Sequence, residues 1–381
     1  MRLLMIASEF PPGPGGIANH AWQLALNLHR LGWRITVLSP QDYVTAPEIV
    51  SFNSSQPFRI VRVPSGRGRF RELLNRVRSA HRLVREEQPD ALLATGLSGV
   101  WVTAATAAIT RLPSLAIAHG SELAVPGVVG AVNRRAFDKM NAVVAVSRFT
   151  AGLLQNAGIQ PRRLEVITNA ADPDRFPAIP AADCTSFRVQ SGFNGGPLLL
   201  TVGHVSERKG QEIVIRALPH ILEKMPDTHY LMIGLPTLQP QLTQLAADLG
   251  VVEQVHFLGR LSHGKTLRWL NACDLFVMTS RTLENGDCEG FGIAVVEAAL
   301  CGKPAVVSRQ SGLIEAIEEN VTGLAVPEKD ERATADAVVC LLADSARRQT
   351  MGQAARTRAL REQTWQTCAA KYDALVREIV H

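Results

Sequence analysis

EGFGIAVVEAALCGKPAVVS, residues 289–308, decides how this chain is read. Residues 304–307 form a short apolar strand, and the segment before it reads as a helix preceded by a loop that ends near Gly292. On that reading Glu289 lies on the loop and Glu297 in the second helical turn, so both carboxylates can face one ligand. A helix N-terminus behind glycine-rich backbone offers unpaired N–H groups to an anion, and each carboxylate can accept hydroxyl hydrogen bonds. The ligand that suits both features is polyhydroxylated and carries phosphate, as a nucleotide sugar does. Two acids on a helix are more often solvated surface, so the flanking chain has to decide.

Outward from this stretch the same device recurs. Short apolar runs at residues 198–202, 229–233, 255–258, 275–278, 304–307 and 323–326 alternate with helical segments. An earlier series occupies 3–7, 34–38, 58–63, 91–94, 114–118, 142–146 and 164–167, with helices such as 18–31 and 100–110 between the runs. Strands alternating with helices imply a parallel sheet covered on both faces. A proline-punctuated stretch at 173–180 and a polar segment to residue 196 separate the series. The expectation is an α/β protein of two Rossmann-like domains, residues 1–185 and 186–363, with a crevice between them and a last helical segment at 364–381. A chain of 381 residues with 46% hydrophobic and 20% charged residues has the length and composition for two such cores.

Five segments carry a family likeness. They are PPGPGG (11–16), AHGSE (118–122), ITNAAD (167–172), TVGHVSERKG (201–210) and the opening stretch itself. Together they resemble the retaining GT-B glycosyltransferases of the GT4 family, also called glycosyl transferases group 1, across nearly the whole chain. The resemblance implies a GT-B fold, with two parallel sheets facing each other across a cleft, an acceptor side in the N-terminal domain and a donor side in the C-terminal one. It also implies that the final helix packs back on the N-terminal domain. The loop SRTLENGDCEGFGI (280–293) looks like that of some mannosyltransferases.

Ligands of open parallel sheets bind beyond the carboxyl ends of the strands, and the quoted segments fall there. Gly13, Gly15 and Gly16 follow the first strand and let backbone approach a diphosphate without a Cβ in the way. Gly13-x-Gly15-x-x-Ala18 also satisfies a dinucleotide fingerprint, which keeps NAD binding open; residues 9–12, between strand and first glycine, count against it. Lys209 stands at the start of a helix, where an ammonium is electrostatically awkward unless an anion sits beside it.

By resemblance, Lys209 holds the donor pyrophosphate and neutralises the leaving group, and His119 touches the donor sugar's hydroxyls. Glu289, with the backbone of Gly290, Phe291, Gly292 and Ile293, orients the transferred sugar. Glu297 accepts from the ribose hydroxyls, and Gly203 and Arg260 complete the donor set. One departure stands out: the arginine that commonly follows the strand-end glycine is His204 here, which leaves Arg208, or a protonated His204, to replace it. The catalytic set is then His119, Lys209 and Glu289. The implied reaction moves a sugar from a nucleoside diphosphate sugar to a hydroxyl of a glycan or lipid-linked acceptor, with retention and with the leaving phosphate oxygen as base. An epimerase or phosphorylase on the same fold, and a sugar-binding protein without catalysis, are the alternatives. No cofactor or metal is expected; Asp172 and Asp174 have DxD spacing but follow the first domain's final turn.

Residues 1–185 carry 20 Lys and Arg against 13 Asp and Glu, the remainder 20 against 22. Seven arginines, Arg67, Arg69, Arg71, Arg76, Arg78, Arg82 and Arg85, lie on a segment whose apolar residues recur at helical spacing. Two readings stay open: a solvated outer helix, and a contact surface for an anionic membrane or an acidic acceptor. Nucleic acid is not expected, because no aromatic residues are interleaved for stacking. Six scattered cysteines without CxxC suggest neither disulfides nor zinc. With no apolar run near ~18 residues and no leader pattern, the expected location is the cytoplasm, with peripheral attachment to the inner membrane face left open.

Overall fold

The computed structural model describes residues 1–13, 15–41, 45–64, 69–123 and 127–381. Seven parallel strands build the first sheet: β1 (Arg2–Ala7), β2 (Arg34–Gln41), β3 (Arg59–Pro64), β4 (Ala91–Thr95), β5 (Ser114–Ala118), β6 (Ala142–Ala145) and β7 (Leu164–Val166). Six build the second: β8 (Leu198–Val202), β9 (His229–Ile233), β10 (Val255–Gly259), β11 (Leu275–Met278), β12 (Ala305–Ser308) and β13 (Gly323–Val326). Their spatial orders are β3-β2-β1-β4-β5-β6-β7 and β10-β9-β8-β11-β12-β13. Each expected strand is present, within a few residues at its ends. Each sheet reverses its winding once, between β1 and β4 and between β8 and β11. That reversal opens a crevice at the carboxyl ends of the flanking strands.

The central strands are apolar along their length because helices cover both faces. Leu4, Met5 and Ile6 of β1 are wholly buried, and Met5 pairs with Val37 on one side and Leu93 on the other. In the second sheet Leu199, Tyr230, Leu275, Val277 and Val306 share one core with Val214, Leu218 and Ile221 of the helix Gln211–Leu222. With both faces apolar, polar chemistry is confined to the strand ends.

The chain divides into two compact units, Met1–Asn169 with Trp365–His381, and Ala170–Thr364. The boundary therefore lies at 169/170, ahead of the 185/186 expected from the pattern of strands and the proline-punctuated stretch. Long-range bonds invisible in the local sequence bind residues 170–185 to the second unit. Ile179 N–H donates to Asn271 Oδ1 at 2.8 Å and Ala171 N–H to the Gln363 carbonyl at 3.0 Å. The segment read as merely polar holds a helix, Ala181–Gln190, whose Phe187 edges onto Trp269 and whose Arg188 pairs with Asp274 at 3.1 Å. The final helix, Trp365–Val380, belongs to the first unit, where Trp33 Nε1 donates to Asp373 Oδ1 at 2.7 Å.

The arginine-rich segment forms the helix Arg69–Glu87; Arg67 lies outside the described residues. Arg71, Arg78, Arg82 and Arg85 are exposed, and Arg82 pairs with Glu86 at 3.5 Å. Arg76 departs from the expected basic face. It is 3% exposed and donates to the Ala7 carbonyl at 2.7 Å and to Ser98 Oγ at 2.6 Å. Its guanidinium ties the end of β1 to the start of the helix Leu97–Thr110. Arg76→Ser is thus expected to destabilise the first unit by about 2–4 kcal/mol, through lost charged hydrogen bonds and a cavity. Arg78→Ser should stay within about 0.5 kcal/mol. Urea unfolding of the two variants, compared with the parent, checks the contrast.

Candidate active site

In the second unit the chain leaves β8 at Val202 and makes a short turn, Glu207–Lys209, before the helix Gln211–Leu222 begins. Gly210 separates turn from helix at φ 68°, and a Cβ there would lie 1.9 Å from the Thr279 carbonyl oxygen, so only glycine fits. The preceding loop is fixed by the buried side chain of Gln211, which donates to the His204 carbonyl at 3.1 Å. Lys209 is consequently held in place.

The partner loop leaves β11 and reaches the helix Ile293–Leu300 through Gly292, at φ 87°. A Cβ at Gly292 would meet Leu313 Cδ2 at 2.2 Å. Gly312 N–H donates to the Glu289 carbonyl at 2.9 Å and anchors the loop where its carboxylate matters. Glu289 Oε2 accepts from Lys209 Nζ at 2.6 Å and from Arg208 Nη1 at 2.5 Å, and Arg208 Nε lies 3.4 Å from Asp287. The Glu289 side chain is only 13% exposed. Burial alone would raise its pKa, but Lys209 and Arg208 outweigh that and hold it below the ordinary carboxylate value. Two adjacent cations sharing one carboxylate form a site that a diphosphate could enter.

Glu297 is different. Half-buried on the helix, it is raised to about 7 by desolvation, against the opposing fields of Arg175 and Lys209. The loop carboxylate and the helix carboxylate thus differ in charge near neutrality, which suits separate jobs.

Each residue named from the sequence can now be placed. Gly203 lies at the end of β8, where its Cβ position is 3.4 Å from Lys209 Cε. His204 is exposed and bonded to Thr237 Oγ1 at 2.6 Å, so of the two candidates for the missing guanidinium it is Arg208 that joins Lys209 and Glu289. Arg260 is exposed, directly after β10. Gly290 and Phe291 are buried, so Phe291 offers its backbone and not its ring, while Ile293 opens the helix.

Gly15, Gly16 and His119 belong to the first unit. Gly15 precedes the helix Gly16–Arg30 at φ 139°, and His119 follows β5. His119 Nε2 lies 2.9 Å from Thr95 Oγ1, and desolvation lowers its pKa to about 4. The sequence reading missed three contributors. Asp287 and Arg281 brace the cationic turn, the latter through Glu207 at 2.6 Å. Glu122 accepts from the His119 N–H at 2.8 Å and is pushed up to about 7 by burial. Glu122 sits inside the quoted AHGSE segment, so its position was visible; the burial that sets its charge was not. Among the described residues no group of three or more His, Cys, Asp or Glu is placed to hold a metal ion.

Two family models match successive parts of the chain. The model for Glycosyltransferase Family 4 matches residues 14–175, and that for Glycosyl transferases group 1 matches residues 184–358. A GDP-mannose-dependent alpha-(1-6)-phosphatidylinositol monomannoside mannosyltransferase of Mycolicibacterium smegmatis is 30% identical over 383 residues, covering 98% of each chain. A glycogen synthase of Mycobacterium tuberculosis is 27% identical over 398 residues, covering 97% of this chain and 92% of its own. HepE of Anabaena, solved with UDP and glucose, superposes with a TM-score of 0.82 at 23% identity over 99% of this chain and 100% of that one. The fold is that of the GT-B glycosyltransferases. The chain belongs to the glycosyl transferases group 1 family, whose members move a sugar from an activated donor to an acceptor, and it is a glycosyltransferase. Membership displaces the dinucleotide reading of Gly13, Gly15 and Ala18.

Because Glu289 already neutralises both cations, Glu289→Gln is expected to tighten binding of a bare nucleoside diphosphate by about fivefold, the equivalent of ~1 kcal/mol, while impairing transfer. Glu297→Gln should weaken the same binding, and Lys209→Ala should lower turnover by about 10² with folding intact. Calorimetry with the diphosphate and steady-state kinetics check the three.

Glu297 and Glu122 titrate at about 7 in the folded chain against an ordinary 4.5. The native state therefore binds more protons between those values, so the stability they contribute is complete below 4.5 and is lost as pH rises through about 7. Thermal unfolding followed at several pH values should show Glu122→Gln flattening that decline.

Proposed function

We propose that this glycosyltransferase moves mannose from GDP-mannose to a hydroxyl of a lipid-linked acceptor, with retention at the anomeric carbon and without a metal ion. The observation that carries the reading is the Lys209–Arg208–Glu289 cluster beyond the ends of β8 and β11. Its two cations supply the charge a departing diphosphate needs. The acceptor attacks the anomeric carbon on the face from which the phosphate leaves, the glycosidic C–O bond to phosphate breaks, and the leaving oxygen takes the acceptor's proton. Protein work is positioning and charge stabilisation. In this reading Glu289 accepts from the sugar hydroxyls as well as from its cations, and Glu297 accepts from the ribose. The donor and acceptor classes are supported by the Mycolicibacterium relative, a GDP-mannose-dependent phosphatidylinositol monomannoside mannosyltransferase.

Association with an anionic membrane surface is supported by Arg71, Arg78, Arg82 and Arg85, exposed on one helix. Among the described residues no helix is long and apolar enough to cross a membrane. A thermal-shift screen of nucleotide sugars tests the donor: GDP-mannose should give the largest shift, since a ligand at 100 times its Kd adds ~2.7 kcal/mol. A larger shift with a uridine sugar would overturn the donor assignment, and a β-linked product by NMR would overturn retention. Sedimentation with liposomes should increase with anionic lipid content and fall with salt. Changing Arg71, Arg78 and Arg82 together to Ser should remove that dependence.

A further inference from the structure

His20 lies on the helix Gly16–Arg30 and is wholly buried, yet neither ring nitrogen has a hydrogen-bond partner. An unsatisfied buried imidazole costs stability, so its presence needs a reason other than packing energy. Its surroundings supply one. The ring meets His119 edge-on at 4.9 Å between centroids, with planes 84° apart. The same ring also meets, edge-on, Trp365 at 5.2 Å and Tyr372 at 6.3 Å, both from the final helix and both buried. His119 itself has one further side-chain anchor, Thr95 Oγ1, and a backbone anchor in Glu122.

We infer that His20 is a positioning residue for His119: its buried ring, clamped by Trp365 and Tyr372 of the C-terminal helix, sets the plane of the His119 imidazole and keeps water from beneath it. This rests on the reading of His119 as a donor-sugar contact. The geometry places the His119 side chain at the end of a run of edge-on ring contacts. Its Nε2 is bonded to Thr95, His20 meets it edge-on, and His20 in turn is met by a helix separated from His119 by more than two hundred residues of sequence. Desolvation lowers both imidazoles, His119 to about 4, and a charge on either disfavours a charge on the other. The titratable groups that face this pair are Glu122 from the turn after β5 and Tyr372, with Cys368 beside it, from the final helix. Burial keeps the thiol and the phenol protonated, so neither adds charge at neutral pH.

The test uses the full chain with 13C-labelled histidine, the His119 signal being assigned by its absence in His119→Gln. In His20→Ala, water reaching the vacated space should raise the His119 titration midpoint by at least about 1 pH unit, while His20→Phe, which keeps the flat ring and the dryness, should leave it within about 0.5. Turnover of GDP-mannose should fall by about 10- to 100-fold in His20→Ala and recover in His20→Phe, with GDP affinity unchanged in both. Where the alanine variant is too unstable, His20→Leu provides the same comparison against phenylalanine. An unchanged His119 midpoint in folded His20→Ala or His20→Leu, or a midpoint that moves equally in His20→Phe, overturns the positioning role. Full transfer by His119→Ala would instead overturn the donor-contact reading of His119, whatever the titration shows.

Discussion

The structure depends on one constraint: every strand lies in a parallel ladder, and the central strands are apolar on both faces. A parallel sheet needs a crossover between successive strands, and the crossover helices cover the sheet on either side. Charged groups are thereby excluded from the strand interiors. They collect where chain leaves a strand and enters a helix, the place where unpaired helix N–H groups also point. Lys209, Glu289 and His119 each occupy such an exit, after β8, β11 and β5. Site and fold follow from the same burial requirement.

Within that constraint the second unit solves an electrostatic problem. Two adjacent cations at the start of a helix repel each other and the helix dipole, and Glu289 offsets both while remaining nearly buried. The arrangement is poised because the carboxylate occupies the role that a diphosphate would take over. Glu297, eight residues on and without such partners, answers burial by holding its proton to about 7. Residues of one chemical type diverge because Lys209 pairs directly with Glu289, whereas at Glu297 its field does not offset the desolvation.

The first unit shows how far composition can mislead about a face. Arg76 shares its helix with four exposed arginines and has the same local spacing, yet its guanidinium is spent inside the unit on the Ala7 carbonyl and Ser98. A helix can carry a basic surface and a buried structural cation together, since long side chains reach polar strand ends from an otherwise apolar face.

The thirteen strands, the two-domain division and the likeness to glycosyltransferases were legible from the sequence, because apolar periodicity and glycine placement are local properties that burial and backbone sterics impose. So were Lys209, Glu289 and Glu297 as candidates, each next to a glycine-marked turn. The unit boundary at 169/170 was not legible, since it rests on bonds such as Ile179 to Asn271 that link residues distant in sequence. Nor was the choice of Arg208 over His204, which follows from the position of a loop eighty residues later. Protonation states were hidden for the same reason: a pKa is set by desolvation and by charges brought near in space, and only the tertiary structure decides which those are.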